Sequence, residues 1–342
     1  MHDLERGRIV VTGGAGLIGS AVIWALNRRG IEDILVVDRL DRSEKWRHLV
    51  PLRFADYIDA DEFEALRDEG STFGEVLTVF HLGACSSTTE SDADYLVRNN
   101  YGYTKKLAHW THDQQARLVY ASSAATFGAL EADLSDEADL HELRPLNAYA
   151  YSKHLFDLYA VRTGLDQSSC GLKYFNVFGP NEDHKSEMRS IVQKAYEQIR
   201  ESGCVRLFKS YRPEYRDGEQ QRDFIYVKDA VEMTLHLAES GATGLFNVGS
   251  GAPNTWLQLV RPIFHALELP ERIEFVDMPQ HLRGKYQYYT CARMQRLYAT
   301  GYDRPITPLG DAVTDYVTNY LVPRRPLELS DPAVAAPLKA PS

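Results

Sequence analysis

Cysteine is scarce and forms no pattern. The 342 residues contain four, Cys85, Cys170, Cys204 and Cys291, scattered without a C-x-x-C pair. Neither a zinc knuckle nor a redox dithiol is indicated, no metal site is expected, and reduced thiols in the cytosol are. No run of 18 apolar residues occurs, so no transmembrane helix is expected. Met1–Arg8 is polar and lacks the apolar core of a signal peptide. Positive charge is in deficit: 38 Lys+Arg against 48 Asp+Glu gives −10, which argues against a protein built to grip nucleic acid. A local basic site for a small anion remains compatible with that balance. There is no solenoid-length repeat. What is present is a composition of 44% hydrophobic and 25% charged residues, enough for a large core spread over roughly two domains.

The first half alternates short apolar runs with helical stretches. Arg8–Thr12, Ile34–Asp38, Leu52–Asp56, Leu77–His81 and Leu118–Ser122 read as successive strands with helices between them. This βαβ rhythm predicts an α/β, Rossmann-type doubly wound parallel sheet with a smaller C-terminal α/β domain. After Phe175 the rhythm weakens. Ser190–Ser202 and Asp229–Ser240 look helical, Asp223–Val227 and Gly244–Val248 strand-like, and Ser210–Gln221 a polar surface loop. The expected division is a dinucleotide-binding domain over 1–176 and 223–252 and a substrate domain over 177–222 and 253–322. The segment 323–342, with five prolines, is expected to be a disordered tail.

Val10-Val-Thr-Gly13-Gly14-Ala-Gly16-Leu17-Ile18-Gly19 follows a strand and opens a helix. Glycine permits the tight turn and lets backbone approach a pyrophosphate, which the helix N-terminus then receives. Asp38 ends the second strand 19 residues after Gly19, where an acid can hold the adenosine ribose. Asp38 favours the free 2′-hydroxyl of NAD, whereas Arg39 and Lys45 suit the 2′-phosphate of NADP. Asp56 is placed to accept from the adenine amino group.

Tyr149-Ala-Tyr151-Ser-Lys153 contains Tyr-x-x-x-Lys, and helical spacing puts Tyr149 and Lys153 on one face. The ammonium is expected to lower the tyrosine pKa so that the phenol can exchange a proton with an alcohol while hydride moves to nicotinamide. Taken alone, the motif is equally a surface pair. Tyr151 has no lysine four residues on and reads as packing. Ser122-Ser123 ends the fifth strand, where a hydroxyl can hydrogen-bond the reacting oxygen or merely cap the next segment.

Together these motifs resemble the extended short-chain dehydrogenase/reductase family of nucleotide-sugar epimerases and dehydratases. His81-Leu-Gly-Ala-Cys85-Ser-Ser-Thr-Thr-Glu90, Tyr120-Ala-Ser-Ser-Ala-Ala-Thr126, Pro145-Leu-Asn-Ala-Tyr149 and Tyr174-Phe-Asn-Val-Phe-Gly-Pro180 narrow it to the branch that epimerises ADP-glycero-manno-heptose at C6 for lipopolysaccharide core synthesis. His184-Lys185, Arg222-Asp-Phe-Ile-Tyr226 and Gly284-Lys-Tyr286 extend the resemblance, which runs from about Arg8 to Tyr320. The branch implies oxidation of C6 to a transient ketone by a bound nicotinamide, then return of hydride to the other face. It implies one tightly bound NAD or NADP per subunit, a homo-oligomer, and no nucleic-acid or membrane partner.

By position, the resemblance makes Tyr149 and Lys185 the two acid/base groups, Ser123 the hydroxyl that polarises the oxygen, and Lys153 a holder of the nicotinamide ribose. Without it, Lys185 reads as a solvated loop lysine. It carries over cofactor contacts to Gly13, Gly16, Leu17, Ile18, Gly19, Asp38, Arg39, Lys45, Leu82, Gly83, Ala84, Cys85, Ser86, Asn99, Lys153 and Val177. Substrate contacts fall at Ser86, Ser123, Asn176, Lys185, Phe208, Arg222 and Tyr286, and an arginine suits a diphosphate.

The chain departs from the family pattern at Leu82 and at Ala60, where a lysine beside the adenosine phosphate is missing. It departs again on the nucleotide-sugar side, at Glu187, Lys194 and Phe208-Lys209-Ser-Tyr211, with a longer Arg212–Gln221 loop. Glu187 near a diphosphate costs affinity unless Lys194, Lys209 or Arg212 neutralises it. Two alternatives stand beside the heptose reading. One is an epimerase or dehydratase for another nucleotide sugar, although Ala124-Ala125 occupies the place of a dehydratase acid pair. The other is a non-catalytic cofactor-binding sensor.

Overall fold

A computed structural model describes residues 2–283 and 286–333. Gly284 and Lys285 of the Gly284-Lys-Tyr286 motif, and residues 334–342 of the expected tail, lie outside them. Among the described residues the strands in chain order are β1 (Arg8–Thr12), β2 (Ile34–Asp38), β3 (Asp56–Asp59), β4 (Val76–His81), β5 (Arg117–Ser123) and β6 (Ser169–Tyr174). Then come β7 (Asn176–Phe178), β8 (Val205–Phe208), β9 (Gln221–Tyr226), β10 (Gly244–Val248), β11 (Pro253–Thr255) and β12 (Ile273–Val276).

β1, β2, β4, β5 and β6 are buried almost throughout because helices cover both faces of the sheet. They form a seven-stranded sheet of order β10-β6-β5-β4-β1-β2-β3, parallel throughout. The strand order reverses direction between β1 and β4. That switch point opens a crevice at the strands' carboxyl ends, where ligands of such sheets bind. The helices Leu17–Asn27 and Val227–Glu239 pack together, and the helix Ala148–Thr163 packs on β5. Two small sheets, β11-β9-β7 and β12-β8, complete the described strands, and β7 and β9 lend residues to the crevice.

Three expectations are corrected. The third strand is not Leu52–Asp56 but Asp56–Asp59, so Asp56 sits at the amino end of β3, paired with Leu35, exposed and away from the crevice. Asp59, opposite Asp38, occupies the crevice end instead. β9 joins β7 and β11 rather than the large sheet. The segment 323–333 is not a loose tail. Leu327 is fully buried, its amide donates to Asn181 Oδ1 (3.1 Å), and Trp24 Nε1 donates to the Glu328 carbonyl (2.8 Å). Its prolines prevent helix and sheet, but an apolar side chain and two satisfied backbone groups suffice to dock it. All four cysteines are free. No described helix is long and apolar enough to cross a membrane.

Candidate active site

The glycine loop is shaped by close approach. Gly13 has φ +69°, and a Cβ there would lie 2.5 Å from the Gly83 amide nitrogen; one on Gly19 would collide with the Gly13 carbonyl. Helix Leu17–Asn27 opens with no side-chain cap and no acid in its first turn. Its first N–H groups and positive dipole end are therefore left for an anion. These features fit the pyrophosphate of a dinucleotide. At the ribose end Asp38 Oδ2 accepts from the Ala15 amide (2.8 Å), while Oδ1 accepts from Lys45 Nζ (2.8 Å) and the Arg39 amide (2.7 Å). The Arg39 guanidinium is taken by Asp61 (2.5 Å) and Asn99 Oδ1 (3.0 Å).

A cleft of about 550 Å³ continues from this loop across the strand ends. Its wall includes Gly13, Gly16, Leu17, Ile18, Gly19, Asp38, Lys45, Leu82, Gly83, Ala84, Ser86, Ser123, Tyr149, Lys153, Asn176, Val177, Lys185, Arg222 and Tyr286. A larger hollow of about 640 Å³ beside helix Ala148–Thr163, lined by Tyr159, Arg162 and Asp166, contains none of these groups.

Asn147 caps helix Ala148–Thr163 by accepting from the Ala150 amide, which fixes the turn carrying Tyr149 and Lys153. Burial raises the Tyr149 phenol above its ordinary pKa, and a hydrogen bond with Ser123 opposes part of the rise. Lys153 Nζ donates to the Ala121 carbonyl (2.8 Å), and burial pushes its pKa down to about 8. The shift of Tyr149 is thus opposite to the expected lowering: desolvation sets its direction, and Lys153 bonds β5 instead. Ser122 Oγ donates to Asp157 Oδ2 (2.7 Å), whereas Ser123 does both things expected of it: its Oγ caps the next segment by accepting from the Ala125 amide (3.1 Å) and it also lines the cleft beside Tyr149. Tyr151 is exposed rather than packed.

Lys185 enters the same wall from a different element, the turn Asp183–Met188 after β7. Burial lowers its pKa, with Glu182 partly restoring it, so the amine is biased toward the neutral, proton-accepting form. Arg222 is buried and belongs to the same wall. It pairs with no carboxylate among the described residues. Its guanidinium lies over the Trp256 and Tyr286 rings (5.9 and 5.2 Å) and bonds the Gln221 and Gln287 carbonyls. A buried cation without a counter-charge suits an anionic ligand.

Other expected site residues stand outside the wall. Arg39, Asn99 and Cys85 lie behind it, the last through backbone bonds to Asn100. Glu187 points to solvent, 3.7 Å from Lys194, so Lys194 is its neutralising partner. Lys209 pairs with Asp277, and Arg212 with Glu131. Phe208 is half-buried and not in the wall.

Residues 9–249 match the family model described as the NAD dependent epimerase/dehydratase family. The chain belongs to that family. Similar relatives of this epimerase/dehydratase include the ADP-L-glycero-D-manno-heptose-6-epimerase of Nitratidesulfovibrio vulgaris strain DP4, 50% identical over 93% of this chain and 99% of that one. The Fusobacterium nucleatum protein of the same name is 42% identical over 92% and 98%. Among solved structures, the Helicobacter pylori ADP-L-glycero-D-manno-heptose-6-epimerase superposes with a TM-score of 0.78 at 24% identity, over 93% of this chain and 98% of that one. The Thermus thermophilus UDP-glucose 4-epimerase, solved in complex with NAD, gives 0.72 at 26% identity, over 91% and 97%.

Sequence reading missed several groups that shape the epimerase/dehydratase cleft. Asp61, which occupies Arg39, carried no signal. Asp157 and Lys173, a fully buried pair at 2.8 Å beneath β5, carried two. Lys173 sits between Leu172 and Tyr174 in a buried strand, and Asp157 follows Lys153 by one helical turn.

Proposed function

We propose that this enzyme converts ADP-D-glycero-D-manno-heptose to its L-glycero epimer at C6, a step toward the lipopolysaccharide core. The observation that carries the reading is that Tyr149 and Lys185, two groups able to take and give a proton, line one cleft with the glycine loop. The names of the relatives at 42–50% identity supply the sugar. A nicotinamide dinucleotide, when bound, supplies the hydride acceptor and donor. Gly13, Gly16 and Gly19 would seat its pyrophosphate, Asp38 its adenosine ribose and Lys153 its nicotinamide ribose. Arg222 and Tyr286 would hold the substrate diphosphate, with 177–222 and 253–322 as the substrate-binding part.

The substrate alcohol loses its hydroxyl proton to one base as C6 becomes a ketone, with Ser123 donating to the oxygen. After the ketone turns its other face, the second base returns a proton to oxygen. Net redox is zero, so the dinucleotide stays with its subunit throughout. A cytosolic homo-oligomer is the setting the family resemblance implies.

Incubation of purified enzyme with ADP-D-glycero-D-manno-heptose and separation of the C6 epimers tests the reading. An equilibrium mixture of epimers is expected. No conversion of this sugar, with turnover of another nucleotide sugar, would refute it.

A further inference from the structure

His48 is a buried ring that the chemistry above does not use. Its Nδ1 donates to the Ala15 carbonyl in the glycine loop (2.8 Å), and its Nε2 faces Asp183 Oδ1 (2.7 Å). Both partners are acceptors. Burial alone would raise Asp183, but its bond and charge contact with His48 outweigh that and hold it below the ordinary range. The ring therefore bridges the two partners, one at each nitrogen. Its edge also packs against the His184 ring, with centroids 5.2 Å apart. Thus one side chain touches both residues that immediately precede Lys185 and, on its other side, the loop that receives the dinucleotide.

The Lys185 loop is held in an unfavourable conformation. Ser186, directly after the lysine, has φ +47° and ψ −120°, a region non-glycine residues rarely adopt. Such backbone persists only where its surroundings over-determine it. Asn181 anchors the loop's start to Ser20 and Leu327, and Glu182 accepts from Ser190 at the head of the next helix. These ties fix the loop's root. The two residues between that root and the lysine, Asp183 and His184, are held by His48.

We propose that His48 is a positioning residue that couples the glycine loop to Lys185, so that seating of the dinucleotide sets the placement of the second base. The inference rests on the reading of Lys185 as that base. A misplacement of about 1 Å costs up to about 100-fold in a proton-transfer step.

The test measures reduction of the enzyme-bound nicotinamide by each C6 epimer separately. His48→Gln, whose single amide nitrogen cannot stand in for two ring nitrogens facing different partners, slows the epimer that Lys185→Met slows, by at least about tenfold, and spares the other. His48→Gln added to Lys185→Met costs nothing more, because the first acts through the second. Asp183→Ala, at a side chain half exposed to solvent, cuts the same link without touching the buried ring and behaves alike. It serves if His48→Gln does not fold. A second readout needs no turnover. Adding dinucleotide slows hydrogen exchange across 181–189 in the wild type and not in Asp183→Ala. Equal slowing of both epimers, additive losses, or identical protection in the variant would overturn the coupling while leaving the two-base reading intact. Full activity of Lys185→Met would overturn both.

Discussion

Tyr149 and Lys185 reach one cleft from different elements, and burial moves their proton affinities in opposite directions, the phenol up and the amine down. Tyr149→Phe and Lys185→Met each remove a proton-transfer group at nearly constant size. Each is expected to lower epimerisation by at least about 100-fold in steady-state assays, without loss of bound dinucleotide. Retention of more than a tenth of wild-type turnover by either would contradict its role. The pH profile carries a sign. In the direction in which Lys185 accepts the proton it must be uncharged. The rate in that direction therefore rises with pH through a value below the ordinary lysine 10.5, and Lys185→Met loses that rise. Tyr149, Lys153 and Ser123 were legible because their spacing is local: one helical turn, and one strand end. The charge state around Arg39 was not. Asp61 is 22 residues away, and only the parallel stacking of β2 on β3 brings it near.

At the scale of elements, the helix bearing Tyr149 and Lys153 is fastened to the sheet by a buried pair. Asp157 accepts from Ser122 on β5 and from Lys173 on β6. Asp157→Ala leaves a buried ammonium whose remaining partner is Thr126 and is expected to cost roughly 3–5 kcal/mol in urea unfolding. A loss under about 1 kcal/mol would mean the pair is dispensable. The segment after Val322 gives a second test. Leu327→Ala should cost roughly 2–5 kcal/mol, the range for emptying a buried leucine site, whereas a loose tail would lose nothing. Apolar runs such as Ile34–Val37 announced their strands. β3 did not, because Asp56-Tyr-Ile-Asp59 is short and polar at both ends and is fixed by pairing with β2. The proline-rich end misled because composition reports the absence of regular structure, not the absence of docking.

At the scale of the whole molecule, the crevice at the β1/β4 switch point joins a dinucleotide cradle to a buried arginine. At the ribose end Asp38 and Asp61 offset Lys45 and Arg39, two negative charges against two positive, and both cations are already paired. A 2′-phosphate would have to displace those carboxylates. NAD is therefore expected to bind stripped enzyme at least about tenfold tighter than NADP, about 1.4 kcal/mol, by equilibrium titration. Tenfold tighter NADP would reverse the assignment. The sheet and cradle were readable from βαβ rhythm and glycine spacing. The walls contributed by β7, β9 and the Glu44–His48 turn were not readable from spacing and entered only through the family resemblance, because they converge only after the chain has crossed the sheet.

The central claim, inversion at C6 by removal and return of the same hydride, is tested most directly with ADP-D-glycero-D-manno-heptose deuterated at C6, incubated in ordinary water. The expected product is the L-glycero epimer with deuterium still at C6. Inversion with the label lost to solvent, or no inversion at all, would contradict it.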